Sequence, residues 1–299
     1  MSDVSWRRRL KIPPGVIRYP YVALPIARPW PTPKAPPRIG VFIHAFYEQE
    51  ITKILPALAH IEAPFRLFVS ADTPEKKTFL ETALRPLASA SPDIRVFENR
   101  GRDIAPKFVG FREAQRGCDL VLHLHTKKSL HTEELAGWLA FILDCLLGSP
   151  EIVNSILGLF AAYPQLGVIA PRIHPSVVYG VQWGENYCKA VYLARQIGVR
   201  LERATRIDFP AGSMFWARSA ALRPLLDLDL GFSSFEPEHG QTDGTTAHAL
   251  ERLVFFAAER AGFRALHVGA DGDAEPFETP LSADEIEQAF VQSTWVKTR

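Results

Sequence analysis

Cysteine is scarce in this 299-residue chain: there are three, Cys118, Cys145 and Cys188, far apart and in no paired spacing. That speaks against a disulfide framework or a zinc knuckle and suits a reducing compartment. An excess of either charge is lacking too, because 34 Lys and Arg against 33 Asp and Glu leave a formal net charge of +1. No global electrostatic case exists for nucleic acid, and no nucleic-acid-reading motif occurs. Long apolar runs are missing as well, none approaching the roughly 18 residues of a membrane-crossing helix. The basic run Trp6-Arg7-Arg8-Arg9 is followed by Pro13, Pro14 and Pro20, where a secretory leader needs its apolar core. The expectation is a cytoplasmic protein.

What is present is an ordinary globular balance of 47% hydrophobic and 22% charged residues, enough to bury one large core. Residues 1–38 carry eight Lys and Arg against the single acid Asp3, with Trp6, Tyr19, Tyr21 and Trp30 among them. Such a basic, proline-rich, aromatic arm suits contact with an anionic membrane face, or an extended path along its own domain or a neighbouring subunit. From Ile39 the pattern becomes regular. Apolar runs at Ile39–Ile43, Phe65–Val69, Ile94–Phe97 and Leu120–Leu122 read as strands, separated by helical stretches at Glu48–His60, after Thr73-Pro74, and through Phe108 and Ala114. This alternation predicts an α/β fold, a mostly parallel sheet flanked by helices. Helices at Glu133–Leu147 and Pro150–Phe160, a strand at Leu166–Ala170, a turn into a strand at Phe209–Trp216, and a helix at Thr242–Ala261 capped by Thr242 or Asp243 follow. Arg264–Val268 reads as a last strand and Ala283–Val291 as a short helix. The expected organisation is an arm at 1–38, one α/β domain at 39–268 and an acidic tail at 269–299.

Two strand ends finish in polar tips, Asn99-Arg100-Gly101-Arg102-Asp103 and His123-Leu124-His125-Thr126-Lys127-Lys128-Ser129. Ligands of such sheets gather beyond the carboxyl ends of the strands. The cations Arg100, Arg102, Lys127 and Lys128 suit an anionic, phosphorylated ligand, although solvated loop charges would look the same in either loop alone. His44, with Phe46 and Tyr47, ends the first predicted strand. It is placed either to receive a nucleoside or phosphate or to cap the next helix. Trp183, Gly184, Glu185 and Asn186 form a polar-aromatic loop fit for stacking on a sugar, or for anchoring itself. Gly212 marks a tight bend or a close backbone approach. Glu236, Glu238, His239, Gln241 and Asp243 gather at the start of the long predicted helix. Capping explains one or two of them, and a general base for a sugar hydroxyl needs one carboxylate. His248, Glu251 and Arg252, one turn further, read as packing or ion-pair groups. The tip after Leu122 lacks the Asp-x-Asp with which nucleotide-sugar enzymes often hold a divalent ion, and magnesium or manganese would want carboxylates. Lys127 or Lys128 could neutralise a departing diphosphate directly, so the reading favours chemistry without a metal or other cofactor. A zinc site from His123, His125 and His131 has no acid nearby to support it.

These segments together resemble the rhamnan synthesis protein F family of bacterial polysaccharide and lipopolysaccharide assembly. The resemblance is carried by His44-Ala-Phe-Tyr47, Asn99-Arg-Gly-Arg-Asp-Ile-Ala-Pro106, Leu124-His-Thr-Lys-Lys-Ser129, Trp138, Leu146-Leu-Gly-Ser149, Phe209-Pro-Ala-Gly-Ser-Met-Phe-Trp216 and Asp243-Gly-Thr-Thr-Ala-His-Ala-Leu-Glu-Arg252, in order over about residues 39 to 268. It implies a GT-A-like glycosyltransferase, an inverting rhamnosyltransferase using dTDP-L-rhamnose and a glycan or lipid-linked glycan acceptor. On that implication Asp243 is the first choice of base and Glu238 the second. His44, Asn99, Arg100, Arg102, Asp103, His125, Lys127 and Lys128 would face the donor, and Trp183, Asn186, Gly212 and Ser213 the acceptor. Peripheral contact of the arm with the inner membrane would accompany that role. A non-catalytic glycan- or nucleotide-binding module and a metal-dependent hydrolase built on the histidines and the 236–243 acids are the alternatives.

Overall fold

The structure is a computed structural model and describes residues 19–85, 92–126, 137–270 and 281–291. Eight strands among the described residues form one sheet: β1 (Tyr21–Leu24), β2 (Ile39–His44), β3 (Phe65–Ala71), β4 (Asp93–Val96), β5 (Leu120–His125), β6 (Leu166–Pro171), β7 (Phe215–Arg218) and β8 (Arg264–Ala270). Their spatial order is β1-β8-β6-β7-β5-β2-β3-β4. All pairs are parallel except those of β7, which runs antiparallel to β5 and β6. The helices are α1 (Ile51–Leu58), α2 (Pro74–Ala83), α3 (Arg112–Arg116), α4 (Trp138–Leu147), α5 (Pro150–Ala162), α6 (Tyr187–Gln196), α7 (Ser219–Leu226), α8 (Thr246–Arg260) and α9 (Ala283–Val291).

Strand periodicity of two sorts the core into two layers. Ile39, Val41 and Ile43 of β2 face the layer that contains α1, α4, α5 and the described part of α9. Phe42, between them, faces the layer of α6, α7 and α8, with Phe68, Phe111 and Phe215. Both faces are covered, so the strands read as continuous apolar runs and not as alternation. Two helix starts follow the expected local chemistry. Thr73 Oγ1 accepts from Lys76 N with Pro74 at the first helical position, and Ser149 accepts from Ile152 N ahead of Pro150. No single helix among the described residues is long and apolar enough to cross a membrane.

Several expectations are corrected. The sheet begins inside the stretch expected to be an arm: β1 pairs with β8, Ile26 N donates to Ser155 Oγ of α5 at 3.0 Å, and the Trp30 ring lies against Gly158. The tail also joins the fold, since Leu281 N donates to Tyr21 O and Ile286 and Phe290 of α9 are buried in the core. Apolar surface at both ends is thus taken up by the outer strands and α5. The strand expected at Leu120–Leu122 runs on to His125, because His123 is buried within the sheet and not solvated at its tip. The helix expected at Glu48–His60 opens as a 3-10 turn, Glu48–Glu50, before α1. The cap of α8 is Thr245, not Thr242 or Asp243: its hydroxyl accepts from His248 N, and Gly244, at φ +76°, reverses the chain just before it. The first turn of the helix expected at Glu133, Glu133 to Glu134 and beyond to 136, lies outside the described residues, as do residues 1–18 of the arm.

Phe42 is 0% exposed, stacks on Phe68 at 4.6 Å and meets Phe111 edge-on. Phe42→Ala is expected to cost about 3–5 kcal/mol of stability, measured as a lowered denaturant midpoint at unchanged slope.

Candidate active site

The connection from β2 to β3 runs to one side of the sheet, and the chain returns on the other side of β2 to form β5. This is a topological switch point, and in open α/β sheets the crevice beyond it receives ligand. His44 and His125 stand opposite each other in register at the carboxyl ends of the two strands. Because β7 is antiparallel, its entering turn, Pro210 to Ser213, reaches the same edge. The loop after β4 and the segment leading into α8 complete the rim.

The crevice floor is a buried ion pair. Gly101 and Arg102 adopt left-handed backbone, φ 66° and 54°, and turn the chain sharply into a helical segment. A side chain at Gly101 would run into the Phe235 ring. Asp103 and Lys107 then share one helical face, four residues apart, with Lys107 Nζ 2.8 Å from Asp103 Oδ2. Lys107 sits in one turn of π-helix, Pro106–Gly110, and is 1% exposed. Its ammonium also donates to Ser213 O at 3.2 Å. Beneath it, Gln115 Nε2 donates to Lys107 O, which leaves Gln115 Oε1 to accept from His123 Nε2 at 2.8 Å. Burial alone would raise the Asp103 carboxyl, but Lys107, His125 and His44 together hold it well below the usual carboxylate range. Burial lowers the Lys107 ammonium, against the pull of Asp103. Burial also lowers His44 to about 3, so it is neutral, with Nδ1 2.9 Å from Ser70 Oγ.

The Pro210–Ser213 turn is fastened by three side chains from three elements. Gly212 N donates to Glu251 Oε1 at 2.9 Å, Gly212 O lies 2.9 Å from His125 Nε2, and Ser213 O takes Lys107. Gly212 has φ 93° and Ser213 has φ 55°, a strained pair for which only the first position is glycine. A Cβ at Gly212 would press on Trp138 at 3.1 Å and Ile142 at 3.2 Å. Glu251 is pushed up by burial, with Arg252 opposing and Asp103 adding to the rise.

The remaining candidates line the rim. Arg100 NH1 donates to Phe235 O at 2.8 Å and its Nε lies 3.1 Å from Glu98, so part of this cation is used in holding the 98–100 and 235–237 segments together. Asn99 is exposed on the loop crest. Arg102 is exposed, and its NH1 lies 2.6 Å from His248 Nε2. Glu238 accepts from the backbone N–H groups of Arg102 and Gly101. Its carboxyl is nonetheless raised, because burial outweighs those bonds and the nearby Arg102 charge. Asp243 is engaged on all sides: it bonds Asn186 Nδ2, accepts from Glu185 N at 3.1 Å and lies 3.4 Å from Arg252 NH2. Burial would raise it, and these partners bring it below its ordinary value.

The acceptor expectations divide. Gly212 and Ser213 are at the crevice, but Asn186 is fully buried, with Nδ2 on Trp183 O and Asp243 and Oδ1 accepting from Gly244 N. Trp183 stacks on Phe256 and donates to Thr205 O at 3.0 Å. Both are committed to anchoring their own loop. Lys127, Lys128 and His131 lie outside the described residues. Among the described residues no three His, Cys, Asp or Glu side chains converge as metal ligands, and His123 is held by Gln115 inside the core. Three groups escaped the sequence reading: Lys107, Gln115 and the crevice position of Glu251. The Asp103/Lys107 spacing was the available signal for the first; nothing local marked the others.

Residues 23–263 match the model of the rhamnan synthesis protein F family, and the chain belongs to that family. Over 229 residues it is 38% identical to uncharacterized protein WxcX in two strains of Xanthomonas campestris pv. campestris, a match that takes in 76% of this chain and 32% of WxcX. The chain thus spans about a third of the length of the curated relatives it matches. Among solved structures, the mannosyltransferase PcManGT from Pyrobaculum calidifontis, in complex with GDP-Man and Mn2+, is similar at 14% identity and a TM-score of 0.45, over 82% of this chain and 60% of that one.

Lys107→Ala leaves Asp103 buried without its cation and is expected to cost about 3–5 kcal/mol. The double variant Lys107→Met, Asp103→Leu should recover much of that loss in the same denaturant titration. Acid sensitivity follows from the histidines: burial lowers His44 to about 3 and His248 to about 4, and drives His123 well down. In the unfolded chain each takes up a proton near pH 6.5, roughly. Their contribution is therefore intact above that pH and declines as pH falls toward 4. The depressed Asp103 acts at lower pH, its contribution intact above about pH 4 and lost as pH falls through its folded value. The urea midpoint should fall from pH 7 to pH 4, and less steeply in His44→Asn.

Proposed function

We propose that this member of the rhamnan synthesis protein F family is a glycosyltransferase that takes its sugar from a nucleoside diphosphate sugar held in the strand-end crevice. The observation that carries the reading is Arg102: an exposed guanidinium with no carboxylate within ion-pair distance among the described residues, fixed at the switch point by strained backbone. A preorganised cation outside any salt bridge suits charge that develops on a leaving diphosphate. Arg100 adds to it, and Lys127 and Lys128, which follow β5 in the sequence, are proposed to bind the same group. His44, kept neutral, would face the nucleoside, and the Gly212–Ser213 turn the acceptor.

The donor proposed is dTDP-L-rhamnose and the acceptor a surface glycan or its lipid-linked precursor, in a GT-A-like site. In an inverting transfer the acceptor oxygen bonds to the anomeric carbon as the bond to the diphosphate oxygen breaks. The nucleoside diphosphate leaves with that electron pair, and the hydroxyl proton passes to a carboxylate. The environment reorders the two candidates: Glu238 is raised and at the rim, whereas Asp243 is lowered and tied to the 184–186 loop. A base works best with its pKa nearer the working pH, which favours Glu238. Asp243 then acts as a positioning residue. The basic arm would bring the site to the cytoplasmic face of the inner membrane.

Transfer from dTDP-L-rhamnose, followed by release of dTDP, tests the reading. Glu238→Gln is expected to lower turnover at least about 100-fold with dTDP affinity retained, and Arg102→Ala to lose dTDP affinity. Fixed cations predict binding that survives EDTA. Donor that binds and never turns over, with every acceptor offered, would instead make the crevice a binding module.

A further inference from the structure

His248 lies on the first turn of α8, inside the stretch whose charges look structural by sequence, and it is the side chain that touches the crevice cation. Arg102 NH1 is 2.6 Å from His248 Nε2, and His248 Nδ1 is 2.7 Å from Thr245 Oγ1. A guanidinium only donates, so Nε2 must be the lone-pair nitrogen. The proton is then on Nδ1, which donates to the Thr245 hydroxyl. That hydroxyl also accepts from His248 N as the cap of α8. One threonine therefore sets the helix start and the tautomer together. Arg102 is clamped from two sides: the backbone of Gly101 and Arg102 donates to Glu238, and the side chain donates to His248.

The usual partner of such an arginine is a carboxylate, which would cancel the charge it positions. A neutral imidazole fixes the guanidinium by one hydrogen bond and brings no charge that would cancel it. We infer that His248 is a positioning residue that holds the Arg102 guanidinium for a diphosphate group without itself neutralising it, accepting from it through an unprotonated Nε2. The inference rests on the reading of the crevice as a nucleotide-sugar site. The charged groups around His248 keep it neutral: Arg102 from the loop after β4 and Arg252 from its own helix oppose a proton, and burial adds to them. Asp243 and Asp103 favour the proton more weakly.

The test is calorimetric titration of the full chain with dTDP, UDP, GDP and inorganic pyrophosphate, with thermal melts to confirm folding. The wild type should bind a nucleoside diphosphate at pH 8, where the terminal phosphate of the ligand is fully ionised. His248→Phe, which fills the space and cannot accept, should bind about tenfold or more weakly. His248→Gln, whose carbonyl can accept from Arg102, should bind within a few-fold of wild type. Thr245→Val frees the imidazole to turn its proton toward Arg102 and should weaken binding, whereas Thr245→Ser should not. Equal affinity in wild type and a folded His248→Phe overturns the inference and leaves the reading of the crevice standing. No binding of any probe by the wild type overturns that reading, and the inference falls with it.

Discussion

The Lys107 ammonium has almost no access to water, and two groups answer it: the Asp103 carboxylate and the Ser213 carbonyl. Burying either charge alone is expensive, so the pair forms only where the loop after β4 and the turn before β7 are both in place. Those segments are more than a hundred residues apart in the chain, and the ion pair makes each conditional on the other. Gln115 and His123 support the same lysine from below through its carbonyl, so the helix after the loop and the strand beside it share the constraint. The floor is polar and enclosed by aromatic rings, among them Phe42, Phe108 and Phe215 around His123, whose Nε2 is bonded to Gln115 while its Nδ1 is buried without a hydrogen-bond partner.

The reversed strand gives the crevice its other wall. A fully parallel sheet would bring only outgoing loops to this edge. With β7 antiparallel, an incoming turn arrives among them, and its backbone groups at Gly212 and Ser213 meet side chains of the neighbouring elements. The strain in that turn is held by Glu251, His125 and Lys107, each already engaged in the site's electrostatics. Structure and charge are therefore the same residues here.

The parallel first half was legible because fully buried strands are short apolar runs and the helices between them carry ordinary caps, as at Thr73-Pro74. The meeting of these segments was legible too, since the loops at 99–103 and 44–47 and the 209–216 turn do converge. What escaped the sequence was partnership. Asp243 and Glu238 look alike as acids before a helix, and only the fold shows that one is spent on Asn186, Glu185 and Arg252 while the other is raised by burial. Trp183 has the composition of a sugar platform, but its indole is turned onto Phe256. The strand at Tyr21–Leu24 was hidden among prolines, where four residues are too few to show a period. The cap of α8 was misplaced because Thr242, Asp243 and Thr245 are all good caps, and the reversal at Gly244 decides among them.

The turn before β7 also bears on how such a site can change. Its backbone is fastened by side chains from α8, β5 and the helical segment after Asp103, none of them within the turn itself. A replacement loop carrying a new recognition sequence would arrive without its fastenings, and the old fastenings would meet a backbone they do not fit. Change at this wall therefore has to come from side chains beyond the fastened positions, with the turn itself left as a fixed anchor.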